Sequence, residues 1–174
     1  MKTISRISTL QKSLLVLILL LYASTSAKAQ RPDGGSFGFG LIVGEPLGAT
    51  VKIWTSSTTA LVGDLGASYF GSPRFDGDYI WHFNAFHSSV ANLYAGPGIV
   101  VGFGNEEVGV FYTPKGRYIR TEGSSGIGVR AIFGVDIMPR NTPLEFFFEA
   151  GPLIAISPGY GTAFDIALGL RFYP

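Results

Sequence analysis

The sequence predicts an all-β protein, a closed eight-stranded antiparallel up-and-down transmembrane β-barrel. Three observations favour this fold. Apolar residues alternate with polar or small residues through most of the chain after residue 30, which is the period of a β-strand with two different faces. Charged residues make up only 14% of the chain, against about 25% in average soluble domains. The 24 glycines and 10 prolines recur too often for long helices.

The first 29 residues predict a cleaved signal peptide rather than part of the fold. A basic start without acids is followed by an uninterrupted apolar run at 14–22 and then by the small-x-small site Ala27-Lys28-Ala29. The alternative is an N-terminal membrane anchor, but this run is short for a spanning helix, which needs about 20 residues. We therefore expect export, a domain division into 1–29 (signal peptide) and 30–174 (outer-membrane barrel), and localisation in the cell outer membrane.

Charge and cysteine content exclude several classes of protein. The leader holds four of the 13 basic residues and none of the 12 acidic ones, so the mature chain would carry a net charge of −3. That balance argues against a nucleic-acid partner, which requires a basic patch. The absence of cysteine excludes a disulfide scaffold, a thiolate metal site and a cysteine nucleophile. We expect no metal and no cofactor.

Eight segments alternate with a period of two and are predicted as strands. The sixth shows the pattern best, with Ile127, Val129 and Phe133 on one face and Arg130 and Asp136 on the other. Several segments reach the roughly 9–11 residues that a tilted strand needs to cross a bilayer, and the first two are shorter. In chain order the segments are 37–43, 49–54, 61–69, 75–83, 93–103, 127–137, 144–154 and 164–173.

The connections between these strands alternate between the two ends of the barrel. With both termini in the periplasm, 105–123 becomes the longest extracellular loop. The predicted extracellular connections are 45–48, 71–74, 105–123 and 155–161, and the predicted periplasmic turns are 56–60, 84–92 and 138–143.

Alternation alone does not say which face is inside. A lipocalin-like soluble barrel places its apolar face inward, and a membrane barrel reverses this arrangement. Here the polar faces are rich in glycine with isolated charges, as in a crowded lumen. The apolar faces carry bulky Phe, Leu, Ile and Val along nearly their whole length. Both features favour the arrangement of a membrane barrel, with the polar faces inside and the apolar faces outside.

Two prolines lie inside predicted strands, although a proline cannot donate a hydrogen bond to the ladder. Both belong to the same short motif, Ala95-Gly96-Pro97 and Ala150-Gly151-Pro152, on strands that run in the same direction. We interpret the motif as a repeated bend or bulge.

Several stretches together resemble a family of small bacterial outer-membrane β-barrel proteins of unknown function. The stretches that carry the resemblance are 38–46, 48–54, 78–82, 143–149 and 167–173, which cover the opening hairpin, later strands and the ending. The resemblance implies an eight-stranded outer-membrane barrel and no activity. The ending, with Gly169 and Phe172, also resembles a barrel-assembly signal, although the chain finishes on Pro174 rather than an aromatic residue. The expected partners are outer-membrane lipid and the barrel-assembly machinery, for a monomer.

The charged residues on the polar faces predict a structural network inside the lumen. An eight-stranded barrel is about wide enough for side chains to fill, and buried charges must be paired. We expect pairs between Lys52 and Asp64 and between Arg130 and Glu149, and Asp136 facing Glu145 near water at a strand end. A polar pathway or a proton-linked site is the alternative. The inward residues are Lys52, Asp64, Asp76, Asp78, His82, Arg130, Asp136, Glu145, Glu149, Asp165 and Arg171.

The predicted function is non-enzymatic: a plugged outer-membrane barrel with a structural or surface-contact role through the 105–123 loop. A narrow channel, a lipid-modifying enzyme and a secreted lipocalin-like binder are the alternatives. The triplet His87-Ser88-Ser89 is similar to the His-x-Ser of outer-membrane lipid A deacylases, but its place in a periplasmic turn favours a plain turn. The candidate contact residues of the loop are Glu106, Glu107, Tyr112, Lys115, Arg117, Tyr118 and Arg120.

Overall fold

The structure is a computed structural model that describes residues 35–104, 110–113, 116–119, 125–158 and 160–174. The described residues form strands and turns without a helix, and so they include no helix that could cross a membrane. The strands are β1 (Phe37–Gly44), β2 (Leu47–Trp54), β3 (Thr59–Ser68), β4 (Gly71–Phe83), β5 (Ala91–Gly102), β6 (Val110–Thr113), β7 (Gly116–Ile119), β8 (Gly126–Ile137), β9 (Leu144–Ser157) and β10 (Gly161–Phe172).

Eight of these strands close into a barrel. The hydrogen-bonded order is β1-β2-β3-β4-β5-β8-β9-β10, and β10 pairs with β1, for example at Leu170–Leu41. Every neighbouring pair is antiparallel. The predicted closed eight-stranded antiparallel barrel is therefore confirmed. Closure satisfies the backbone groups that an open sheet would leave exposed at its two edges.

The long connection between β5 and β8 contains a hairpin that the sequence analysis did not predict. Strands β6 and β7 pair with each other, and Tyr112 of β6 pairs with Thr162 of β10. β1 is short, and its pairing with β10 extends only to Gly44 opposite Ala167. Beyond that point, β6 pairs with the same edge of β10. The error was to treat 105–123 as plain loop, although 110–113 and 116–119 contain the aromatic and β-branched residues that strands favour.

The chain termini and the turns alternate between two ends of the barrel. The terminal end holds residues 35 and 174 with the turns after β2, β4 and β8, and the loop end holds the other connections. One predicted connection is wrong: 71–74 lies inside β4, because β3 runs only to Ser68 and the chain reverses at Tyr69 and Phe70. Arg74 is consequently a residue of β4, and the alternation of the strand fixes the side of the sheet on which its side chain lies.

The strands bury their polar faces and expose their apolar faces. In β8 the side chain of Arg130 is 4% exposed, whereas that of Phe133 is 60% exposed. The interior also holds apolar groups, with Trp54, Ile80 and Tyr94 clustered toward the terminal end and Phe70 and Val100 toward the loop end. The core of the molecule is thus the filled lumen, and most large apolar side chains of the strands point away from it.

Candidate functional site: the charged lumen

The structure places all eleven charged residues that were predicted to face inward inside the barrel, each no more than 6% exposed. Three further polar residues join them that the sequence analysis did not select, namely Thr50, Arg74 and Asn92, each no more than 1% exposed. These groups form three clusters along the barrel axis, which we call the terminal, central and loop-end clusters.

The terminal cluster is built around one lysine held between two acids. Lys52 Nζ lies 3.0 Å from Glu145 Oε1 and 3.3 Å from Asp136 Oδ2, with all three side chains inaccessible to solvent. The ammonium also lies 4.5 Å from the centre of the Trp54 ring, close enough for a cation–π interaction. Lys52 on β2 thereby connects its strand across the lumen to β8 and β9.

Both acids of the terminal cluster have further partners. Arg171 Nη1 donates to Glu145 Oε1 at 2.7 Å, and Tyr173 donates its hydroxyl to the other oxygen of the same carboxylate. Asn92 Nδ2 donates to Asp136 Oδ1 at 3.0 Å, and His82 Nε2 lies 3.1 Å from Asp136 Oδ2. The two carboxylates are therefore well compensated although they share Lys52.

The predicted partner of Lys52 is wrong. Lys52 lies opposite Val62, and Asp64 lies opposite Thr50, because the β2–β3 turn is tighter than predicted: Thr55 N–H donates to the Thr59 carbonyl at 2.9 Å. The true register differs from the predicted one by two residues. Such a shift preserves the facing of every side chain but changes every cross-strand neighbour.

The prediction that Asp136 lies opposite Glu145 is also wrong, because the register of β8 and β9 again differs from the predicted one by two residues. Asp136 lies opposite Phe147, and Glu145 lies opposite Arg171 on the other side of its strand. The acids were expected to be solvated, but both are fully buried. Arg140, in the turn between β8 and β9, donates to the hydroxyl of Ser89.

The central cluster consists of Arg130 surrounded by three aspartates. Arg130 Nε donates to Asp78 Oδ1 at 2.8 Å, and its Nη2 donates to both Asp78 Oδ2 at 2.5 Å and Asp64 Oδ2 at 3.0 Å. Its Nη1 lies 2.9 Å from Asp76 Oδ2. Glu149, the predicted partner, is more distant at 3.9 Å and instead accepts a hydrogen bond from the Tyr94 hydroxyl at 2.8 Å.

A glycine makes the central cluster possible. Gly98 on β5 lies between Asp78 on β4 and Arg130 on β8 in the barrel wall. A Cβ atom at this position would lie 1.8 Å from Asp78 Oδ1. Only glycine leaves room for the guanidinium to reach the carboxylate over the intervening strand.

The loop-end cluster centres on Arg74, which the sequence analysis assigned to a connection. Its Nε donates to Asp76 Oδ1 at 2.8 Å and its Nη2 to Asp165 Oδ2 at 2.6 Å. The same alternation that indicated Asp76 and Asp78 as inward residues extends to Arg74, so the strand pattern contained the signal that was missed. Tyr69 also donates its hydroxyl to Asp165.

Two groups in the turns at the loop end have shifted pKa values. Burial raises the pKa of the Glu45 carboxyl, and the Tyr69 backbone N–H, which donates to it at 3.3 Å, opposes this effect. Burial and the neighbouring Asp165 raise the pKa of the Tyr69 hydroxyl. Tyr69 therefore stays protonated as a hydrogen-bond donor over the ordinary pH range.

The charges of the lumen pair with one another and thereby hold strands together. Within the described lumen, seven carboxylates surround four basic side chains, and each basic side chain contacts at least one carboxylate within 3.0 Å. The described residues contain no group of three or more His, Asp or Glu arranged to hold a metal ion. Large side chains fill the remaining space, as expected for about eight strands.

The triplet His87-Ser88-Ser89 forms a turn at the terminal end, as its position suggested. Ser88 Oγ accepts the backbone N–H groups of Val90 and Ala91 at 3.1 Å and 3.2 Å. His87 has a φ of 50°. Both serine hydroxyls thus contribute to local structure, Ser89 through Arg140.

The proposed contact loop falls largely outside the described residues. Glu106, Glu107, Lys115 and Arg120 lie beyond them, as does the predicted signal peptide. The positions of Tyr112, Arg117 and Tyr118 are described at the level of the β6–β7 backbone.

Comparison of the chain with models of protein families, with curated proteins and with solved structures finds no match. The resemblance to small outer-membrane barrels therefore stays a prediction.

Removing the lysine of the terminal cluster should destabilise the barrel. Lys52→Met leaves Asp136 and Glu145 without their shared cation, and breaking a buried ion pair typically costs about 3–5 kcal/mol. Adding Asp136→Asn should recover part of this loss, whereas adding Asp64→Leu should recover none. Urea titration of the barrel folded in lipid vesicles measures the free energy of unfolding of each variant. Rescue by Asp64→Leu would contradict the observed register.

Filling the space at Gly98 should weaken the central cluster. Gly98→Ala forces the Asp78 carboxylate away from Arg130, and overpacking of this kind costs about 1–3 kcal/mol. Gly77→Ala on β4 is the matched control, since the nearest atom to its Cβ would be Ile99 Cγ1 at an ordinary 3.8 Å. The same urea titration should leave the control within about 0.5 kcal/mol of wild type. Equal losses in both variants would show that the Asp78–Arg130 contact contributes little.

Proposed function

We propose that this chain is an integral outer-membrane β-barrel protein whose lumen is plugged by side chains and which has a structural or surface-contact role through the 105–123 segment. One observation carries the proposal: the polarity of the barrel is reversed with respect to a soluble protein. The charged side chains of the strands are buried within the lumen, while most of the large apolar side chains of the strands face outward.

The outward apolar residues form a continuous belt around the barrel. Among them, Leu41 is 68% exposed, Phe148 50% and Leu168 56%. Monomeric soluble proteins rarely expose contiguous apolar patches larger than a few hundred Å². A lipid environment accounts for such a belt, because transmembrane barrels carry an apolar band on the outside and polar residues within.

Closure of the sheet supports the same environment. In hydrocarbon every backbone polar group needs a partner within the protein, and a closed barrel provides one without leaving edges. The predicted leader at 1–29 supports export to the outer membrane. A lipocalin-like soluble binder would require an apolar interior and a solvated exterior, which is the opposite arrangement.

The role we propose follows from where the polar surface lies. The lumen charges bind one another, which supports a plug rather than a pore. The 105–123 segment carries most of the charged residues expected at the loop end, including Glu106, Lys115 and Arg120. Its β6–β7 hairpin adjoins β10 at that end of the barrel, and in the proposed orientation this end faces the outside of the cell.

Cell fractionation and gel mobility test the proposal directly. We expect the full chain to sediment with outer membranes and to migrate differently in boiled and unboiled gel samples, because a closed barrel resists detergent until it is heated. Release of the protein as a soluble species after lysis without detergent would overturn the proposal.

Placing a charge in the apolar belt should impair folding into lipid. Phe148→Arg should cost up to about 2–4 kcal/mol, the value for Arg at the middle of a barrel's lipid face. Ser157→Arg on the same strand is the matched control: Ser157 is exposed at the loop end of β9, where such a change costs about 0–1 kcal/mol. Folding yield in vesicles measures both. An equal or greater yield for Phe148→Arg would indicate a water-facing exterior.

A further inference from the structure

An indentation interrupts the apolar belt on one side of the barrel. It has a volume of about 720 Å³ and extends across the outer surface from β3 to β9, open to the surroundings. We call it the proline groove, since Pro97 and Pro152 line it. Its lining includes Leu61, Tyr79, Pro97, Ala131, Pro152 and Ile154.

The groove lies where the pairing of neighbouring strands is interrupted at two places, between β4 and β5 and between β8 and β9. Both interruptions lie at the same height along the barrel axis. Pairing between β4 and β5 stops at Asp78–Gly98 and resumes at Trp81–Ala95. Pairing between β8 and β9 stops at Arg130–Leu153 and resumes at Phe133–Ala150. Pro97 and Ala131, which lie in these two gaps, are themselves paired across the β5–β8 seam.

Each interruption has the same local cause. A proline has no N–H to donate to the strand beside it. The glycine before each proline is closely approached by the adjacent strand: a Cβ would lie 2.0 Å from the Tyr79 oxygen at Gly96 and 1.8 Å from the Ala131 oxygen at Gly151. The register is the same before and after each gap, so the repeated motif is a bend without an inserted residue.

The residues that form the floor of the groove are small, and its rim is bulky. Gly77, Pro97, Ala131 and Pro152 provide little or no side chain on the outer face, whereas Leu61, Tyr79, Ile99 and Ile154 stand around them. The depression is therefore specified by the sequence rather than being a gap between long side chains.

The height of the groove along the barrel axis indicates which part of a lipid it can accept. Pro97 is the seventh of the 12 residues of β5, and Ala131 is the sixth of the 12 residues of β8. In a membrane this height corresponds to the middle of the hydrocarbon layer, which is reached by lipid tails and not by headgroups. The charged residues that contribute to the lining, Asp78 and Arg130, bind each other through the lumen side of the wall.

We propose that the proline groove binds one acyl chain of a membrane lipid at a fixed place on the barrel surface. This inference rests on the proposed outer-membrane location. The volume lies within the range of about 300–1,000 Å³ that is typical of small-molecule sites with apolar linings. A groove surrounds a chain on both sides, whereas a flat stretch of the belt contacts it on one side only.

Photolabelling within vesicles tests the proposal. The full chain is folded into phosphatidylcholine vesicles that contain a fraction of phosphatidylcholine with a diazirine at the middle of one acyl chain, and adducts are mapped by mass spectrometry. We expect several-fold more adducts at 97–99, 129–131 and 152–154 than at 41–43 on β1, whose neighbours β2 and β10 do not line the groove.

Two matched variants sharpen the result. Ala131→Phe fills the floor of the groove and should reduce its adducts several-fold. Ala49→Phe adds the same bulk on β2, between Leu41 and Leu65, and should leave the adducts in the groove unchanged. Adducts spread evenly around the belt of the wild-type barrel would overturn the acyl-chain site while leaving the membrane proposal intact. Failure of the chain to enter the vesicles, with no heat-modifiable species, would overturn both.

Discussion

The rest of the barrel depends on the ion pairs that Arg130 forms inside the lumen. Arg130 lies on β8, yet its guanidinium binds Asp64 on β3 and both Asp76 and Asp78 on β4, so one side chain connects three strands across the wall and lumen. A buried charge must have partners, and these partners exist only on the inside. A slip of any one of these strands by one residue would turn its charges outward. The ion pairs of Arg130 thus fix which faces of β3, β4 and β8 are inside, and on these strands the apolar belt follows as the other face.

The narrow lumen explains why glycines and large side chains occur together on the inward faces. Eight strands enclose about enough space for side chains, so a bulky residue on one strand requires a position without a side chain beside it. Gly134 supplies that space for Tyr94, Gly38 for Tyr173 and Gly169 for Phe147, since a Cβ at each glycine would overlap the neighbouring aromatic ring. The high glycine content is therefore part of the packing, and it makes the plug complementary in shape as well as in charge.

The sequence predicted the closed fold and the facing of the strands because both depend on a period of two, which a single chain displays. It did not predict the closest ion-pair partners, although Arg130 and Glu149 do form a distant pair at 3.9 Å. The predicted β2–β3 turn was two residues too long, so Lys52 was assigned to Asp64. Its actual partner Glu145 lies across the lumen, and no spacing within the local sequence indicates that contact. Arg74 was missed because 71–74 was assigned to a connection, whereas β4 begins at Gly71 and Arg74 pairs with Asp165 inside the barrel. Contacts across a barrel depend on strand tilt and stagger, which the sequence alone does not express.

The central ion pair and the interrupted seam are two aspects of one arrangement. Asp78, Gly98 and Arg130 lie side by side in the wall, immediately next to the gap in pairing at Tyr79 and Pro97. Where Pro97 removes a backbone donor from the β4–β5 seam, the side chain of Arg130 passes over Gly98 and bonds Asp78 on the far side of the seam. A charge-assisted hydrogen bond is roughly twice as strong as a neutral one, so this contact offsets the loss in the ladder. The barrel can therefore keep an indentation in its outer wall without opening its interior, because the strands that separate on the outside are held together from within.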